Sequence, residues 1–299
     1  MHPMEASALD SALRHSIDLS LPGKRAAESG SVAVSQTGAL YPAGCLGSET
    51  HLLNISSELA ALVRAVHADD VHIERILTVV SDARTPVSPL VLKILADHGT
   101  RTGTPISYTV CDLLGTVLFE VADAREALPF YKGPGMVLKA FADRAVQTRR
   151  VALDRTSAVS PELQLRTWAL AGCDRNFPTR DGASGYGAAL LTASGNIYYG
   201  GQYSTFEHRL GVHAEMGVLL NALMDGAKDI THLGLVSTKS PDTPCSPCGC
   251  CRQFVGELSR AFDFSPAMCL FASGNETYTS HTIEELLPIQ WTNKNDHRR

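Results

Sequence analysis

His213, Glu215, Cys248 and Cys251 are residue types that bind metal and move protons, and they stand in two short motifs, His213-Ala214-Glu215 and Pro247-Cys248-Gly249-Cys250-Cys251-Arg252-Gln253. One imidazole and two thiolates supply three ligands of a tetrahedral zinc site and leave the fourth position for water, which separates a catalytic centre from a closed structural one. Glu215, two residues from the histidine, is placed to handle that water's protons. Two thiolates, a neutral His213 and a divalent zinc sum to zero formal charge, a balance that lets the metal draw the pKa of bound water toward about 7.

These side chains must be held by helix starts. From Ala214 the chain reads AEMGVLLNALM, apolar at helical intervals, so His213 and Glu215 fall in a first helical turn. Cys248 and Cys251 open a second helix with Phe254, Val255, Leu258 and Phe262 on its apolar side, and an interval of three puts both sulfurs on one face. Two helix N-termini would converge on one metal, their amide donors favouring thiolate over thiol. A second register competes, because Pro244-Cys245-Ser246-Pro247-Cys248 is also a PCxxC. Gly249 and the apolar helix directly after it favour Cys248 with Cys251, leaving Cys245 and Cys250 as bystanders. A CxxC alone would also suit a structural half-site or a redox pair; the His-Ala-Glu motif argues against both.

HxE followed by PCxxC is the signature of the zinc nucleobase deaminases, and residues from about 160 to 290 resemble the cytidine deaminase family. Gly187-Ala188-Ala189-Leu190-Leu191 with Ser194-Gly195 resembles the family's first hairpin, and Glu285-Leu286-Leu287-Pro288 its closing segment. Val212-His213-Ala214-Glu215 and the run CGCCRQF are similar to the two-domain members, which use histidine where single-domain members use a third cysteine. The resemblance implies that His213, Cys248 and Cys251 bind Zn2+, that Glu215 shuttles protons, that Ala214 touches substrate, and that Arg252 tunes charge beside the metal. The implied reaction is hydrolytic removal of the 4-amino group of cytidine, deoxycytidine or a related cytosine nucleoside.

The other half of the chain carries the same landmarks in the same order. Val32-Ala33-Val34 with Thr37-Gly38, then Ser56-Ser57-Glu58-Leu59, Ser88-Pro89 and Glu126-Ala127-Leu128-Pro129 repeat those of the catalytic half. Ser56 precedes His213 by 157 residues, Ser88 precedes Ser246 by 158, and Pro129 precedes Pro288 by 159. This is the mark of a tandem duplication. The first copy has Ser56 for the histidine, with Leu90 and Lys93 where the cysteines should be, so Glu58 survives without a metal to serve. The division expected is a degenerate domain over 1–150 and a catalytic domain over 151–299. Two-domain relatives pair a working with a spent copy in the opposite order, and family sites are completed by neighbouring domains, so the resemblance implies a homodimer of two-domain chains.

A helix is expected over 5–20 with Leu9, Leu13 and Ile17 on one face, and its counterpart over 161–171 after the Ser160-Pro161 start signal. Segments near 31–35, 75–81, 187–192 and 231–237 read as strands. Gly133-Pro134-Gly135 breaks the chain, and a helix is expected from Met136 to the basic end near 150. The fold class is α/β: two tandem three-layer α/β/α domains, each with a mixed sheet that the resemblance puts at about five strands. With 44% hydrophobic and 19% charged residues the composition is that of a globular protein. No apolar run reaches the ~18 residues of a membrane span, and a cytoplasmic location is expected. Four of eight cysteines crowd between 245 and 251, a metal pattern rather than a disulfide framework. A net charge of −5 argues against nucleic acid as partner.

The nucleoside pocket departs from the family pattern. Where relatives place an asparagine and, two residues on, a glutamate for the ribose 3′-hydroxyl, this chain has Gln202 and Ser204; the amide can still meet a hydroxyl, whereas Ser204 cannot accept as a carboxylate does. Ser184 replaces an aromatic wall, and Glu207 and His208 read as a solvated loop, with Glu207 as a possible substitute. Ser204-Thr205-Phe206 is similar to a stretch of blasticidin S deaminase, so a modified cytosine nucleoside is the alternative substrate. A non-catalytic zinc-binding scaffold is the remaining alternative.

Overall fold

A computed structural model describes residues 3–21, 28–48, 50, 53–85, 87–128, 149–179, 185–205 and 211–292. In the first half, α1 (Pro3–Asp18) lies on β1 (Ser29–Ser35) and the antiparallel β2 (Leu40–Gly44). Strand alternation assigns the faces: Val32 and Val34 pack with Leu9 and Leu13 of α1, while Ala33 between them turns to the opposite core. That core is covered by α2 (Ser57–His67) and α3 (Pro89–Thr102), which precede β3 (Ile73–Val80) and β4 (Ser107–Asp112) respectively. With β5 (Val117–Val121) the sheet order is β2-β1-β3-β4-β5, parallel only between β3 and β4. The crossover helix α3 makes that parallel pairing possible.

The second half rebuilds this plan. β7 (Tyr186–Thr192), β8 (Asn196–Gly201), β9 (Ile230–Ser237), β10 (Ala267–Phe271) and β11 (Tyr278–His281) order as β8-β7-β9-β10-β11, again parallel only between β9 and β10. α4 (Pro161–Cys173) takes the place of α1, and α5 (Ala214–Met224) and α6 (Gly249–Phe262) those of α2 and α3. The short α7 (Ile283–Leu286) follows β11. Irregularities repeat as well: the register shifts at Val34/Ser35 and Leu191/Thr192, and left-handed residues recur at Gly38 and Gly195, Asp69 and Gly226, Gly103 and Asp263. Unrelated α/β units would share a sheet order more readily than a bulge and three positive-φ positions.

Two details differ from expectation. The second sheet has six strands, because β6 (Arg150–Ala152) pairs antiparallel with the edge of β8. A sheet edge with open donors and acceptors takes the incoming chain as a strand. Arg150 therefore belongs to the second sheet, and the expected helix from Met136 otherwise lies outside the described residues. The start of α3 also shifts the alignment of the two copies. Ser88 caps α3 as Cys248 caps α6, so the residues standing for Cys248 and Cys251 are Ser88 and Val91, not Leu90 and Lys93. The connection between β9 and α6 is three residues longer than its counterpart, which a motif-to-motif count spreads over the helix.

α2, α3, α5 and α6 share one core, running from Leu62 and Leu95 to Leu219 and Phe254. The two halves thus meet through their inner helix layers, with α1 and α4 outermost. Among the described residues no helix is long and apolar enough to cross a membrane.

Candidate metal centre and active site

His213 and Cys248 are both N-cap residues, extended in backbone, and neither side chain makes the capping hydrogen bond usual there. Both turn instead toward one point. His213 Nδ1 lies 3.4 Å from Cys248 Sγ and 3.3 Å from Cys251 Sγ, and all three ligand atoms fall within 4.8 Å of one another. Zinc–sulfur and zinc–nitrogen bonds of about 2.3 and 2.0–2.1 Å at the tetrahedral angle put nitrogen and sulfur about 3.6 Å apart, so the donor set and its spacing fit zinc. Cys245 and Cys250 stay outside the group: Cys245 is buried against Leu235 and Leu270, and Cys250 is exposed. Burial pushes the Cys245 thiol up to about 12.

The electrostatics set the two sulfurs apart. Hydrogen bonds from Cys251 and His213 draw the Cys248 thiol down to about 3. Cys251, buried and bonded to that thiolate, is raised, and the hydrogen bond to Cys248 raises His213. A divalent cation held here would favour both sulfurs as thiolates. Glu215 follows in the first turn of α5 and is buried, and burial raises its carboxyl. Burial favours the neutral form of this carboxyl, which suits a group that takes up and returns a proton.

The remaining sequence-predicted residues fall around this centre. Tyr203 bridges antiparallel to Val212, a register that puts Gln202 opposite His213 and sends the side chains of Gln202 and Ser204 away from the buried Tyr203. Ala214 is fully buried at the start of α5. Arg252 donates to Pro247 O (2.9 Å), Leu286 O (2.8 Å) and Ser246 Oγ (2.7 Å), so its visible work is to tie the loop before Cys248 to the closing segment. Ser184, Phe206, Glu207 and His208 lie outside the described residues. A surface depression of about 410 Å³ lies elsewhere, at the far end of α6.

In the first half the corresponding place is filled by a polar network. Glu58 is buried and accepts from Tyr108 Oη (2.7 Å) and Thr78 Oγ1 (3.2 Å), with Ser31 bonded to both Thr78 and Ser57. Among the described residues only the second half gathers a candidate metal group.

Three residues that the motifs do not flag also bear on the site. His67, His98 and Arg101, all on inner helices of the first half, are fully buried and reach across to residues 201–204. The sequence does not single them out, since α2 and α3 also carry Glu58, Arg64, Lys93 and Asp97.

No family model matches the chain. The cytidine deaminase of Vibrio parahaemolyticus is 33% identical over 147 residues, 47% of this chain and 45% of that protein. The blasticidin-S deaminase of Bacillus cereus is 29% identical over 112 residues, 36% of this chain and 76% of that protein. The crystal structure of the Burkholderia pseudomallei cytidine deaminase is similar with a TM-score of 0.39 and 24% identity, over 43% of this chain and 98% of that one. The chain spans about half the length of the first curated relatives it matches. The cytidine deaminase of Halalkalibacterium halodurans is 32% identical over 108 residues, 36% of this chain and 76% of that protein. With that much of a relative matched at that identity, the chain belongs to the cytidine deaminase family.

Proposed function

We propose that the protein is a zinc-dependent hydrolytic deaminase of cytosine nucleosides, cytidine or deoxycytidine, with its working site in the second half. The observation that carries this reading is the convergence of His213, Cys248 and Cys251 within 4.8 Å beside a buried Glu215. When bound by those three residues, zinc would supply Lewis-acid activation of water. Glu215 takes a proton from the attacking water at its carboxylate and delivers it to N3 of the pyrimidine. It then carries the second proton to the exocyclic amine, the C4–N4 bond breaks, and ammonia leaves with the uracil form as product. Gln202 offers its amide to a ribose hydroxyl, Ser204 a hydroxyl, and Ala214 its position at the start of α5. Arg252 holds the Cys248 loop and adds positive charge near the metal.

The second reading, a modified cytosine nucleoside of the blasticidin S type, is favoured by Ser204 standing where a carboxylate would bind ribose and by the likeness to the Bacillus cereus enzyme. We assign residues 1–150 to a degenerate domain and 151–299 to the catalytic one, with Arg150 at the seam. A homodimer of such chains and a cytoplasmic, reducing setting complete the proposal; eight free cysteines suit the latter, and pyrimidine salvage is the role it would serve. Ammonia release measured across cytidine, deoxycytidine, their monophosphates, cytosine and a cytosine nucleoside antibiotic tests the reading. Turnover of the plain nucleosides supports it, turnover of the antibiotic alone moves the assignment, and silence on all of them leaves a non-catalytic scaffold. Sedimentation tests the dimer: a fully active monomer at micromolar concentration removes it.

A further inference from the structure

We propose that His67, His98 and Arg101 of the metal-free half are positioning residues that fix Gly201 to Ser204, the edge of the nucleoside site. The inference rests on the assignment of Gln202 and Ser204 to substrate.

The three side chains are fully buried, and their bonds fall on consecutive parts of one segment. His67 Nε2 donates to Gly201 O at 2.8 Å, Tyr203 Oη donates to His98 Nδ1 at 2.9 Å, and Arg101 Nη1 donates to Ser204 O at 2.8 Å. The tautomers follow from the partners. His98 Nε2 faces Val71 O at 2.7 Å and His67 Nε2 faces a carbonyl, so each carries its proton on Nε2 and accepts on Nδ1, His67 from Asn221 Nδ2 at 2.9 Å. Nothing larger than glycine fits beneath His67, since a Cβ at Gly200 would sit 2.1 Å and at Gly217 2.7 Å from its ring. The Arg101 guanidinium lies 4.0 Å over the Phe177 ring and also bonds Pro178 O. Phe177 in turn donates to Gln202 O and accepts from Ser204 N, both at 2.9 Å.

Apolar side chains would fill this space as well, but they would not fix register. Pinning the carbonyls of Gly201 and Ser204 and the ring of Tyr203 sets the direction of the two side chains between and beside them, Gln202 and Ser204. The clamp is reciprocal in form: Glu257 on α6 accepts from Ser48 and Thr50, in the first-half loop whose Leu46–Ile55 bridge matches Tyr203–Val212. Only the arm reaching from α2 and α3 bears on the half with the metal ligands. The first copy has lost its ligands and keeps the second copy's substrate edge in place.

The test uses the full zinc-loaded chain with Tyr203→Phe, Arg101→Met and Arg101→Lys, reading kcat, KM, zinc per chain, and amide exchange over residues 202–205. Arg101→Met is expected to raise KM roughly 10- to 100-fold with kcat nearly kept, zinc retained and exchange accelerated. Arg101→Lys should recover part of the KM loss, and the isosteric Tyr203→Phe should raise KM a few-fold. Unchanged KM and unchanged exchange in Tyr203→Phe and Arg101→Met would overturn the inference, as would a matched fall in kcat and zinc content without a KM effect. A wild-type chain that deaminates no cytosine nucleoside defeats the proposed function instead, and exchange over 202–205 then decides the clamp by itself.

Discussion

Two helices with the same backbone setting, α2 and α5, begin on Ser56 and His213. Ser56 caps its helix, its Oγ accepting from Leu59 N at 3.4 Å, whereas His213 leaves that bond unmade and turns its ring to Cys248 and Cys251. The carboxylates two residues on diverge in the same way. Glu58 is met by the hydroxyls of Tyr108 and Thr78; the positions that answer to these in the second half are Met268 and Leu235, both buried and apolar. A helix N-terminus offers unpaired amides that a side chain or an anionic metal cluster can occupy. In the first half a cap and a hydrogen-bonded carboxylate occupy the frame that in the second half holds the converging histidine and cysteines.

The sharpest test of this contrast replaces the two glutamates separately. Glu215→Ala should cut turnover about 10²- to 10⁴-fold in the ammonia assay while zinc stays bound. Glu58→Ala should leave turnover alone and lower the urea midpoint, since Tyr108 and Thr78 lose their acceptor at a cost of about 1–3 kcal/mol. Residual activity near wild type in Glu215→Ala would end its assignment as proton shuttle. Next in size is metal content: one zinc per chain is expected by elemental analysis, falling to none in Cys251→Ala, and a second zinc or an unchanged value would erase the difference between the halves.

A smaller effect concerns how the halves are joined. Burial depresses His67 to about 4, with Arg175 and Arg149 facing it, and His98 to about 3, with Arg101 and His72 nearby. Both are below the unfolded value of about 6.5, so the unfolded chain binds more protons between those limits. Their contribution is complete above about pH 6.5 and is lost as pH falls from there toward 4 and 3. Urea midpoints should decline over that window, and less steeply in His98→Asn; a flat profile would deny that the joint is built on neutral histidines. The smallest effect is that of the cap: Ser56→Ala should cost about 1 kcal/mol in stability and leave zinc content unchanged.

Much of this contrast was legible in the sequence. The helix start at Ser160-Pro161, the alternating strands, and the ligand motifs stand where local chemistry dictates, because caps, prolines and hydrophobic period act within a turn or a strand. β6 was not legible: a three-residue strand takes its conformation from the open edge of β8. The equivalence of Ser88 and Cys248 was also obscured, since loop lengths change freely while helix caps do not. His67, His98 and Arg101 were silent for a different reason. Their partners are backbone carbonyls and a tyrosine more than 100 positions away, and a carbonyl leaves no signature in a sequence.

By itself, then, the sequence determined the chemistry available, a histidine, two cysteines and a glutamate on two helix starts, and a second set of the same landmarks with Ser56 in the histidine's place. Tertiary structure decided which sulfurs converge, that Glu58 of the first half is closed off by hydroxyls, and that the first half's inner helices bond to residues 201–204 of the second. Ligand identity is a property of residue type and local spacing, whereas convergence and grip depend on packing two inner helix layers into one core.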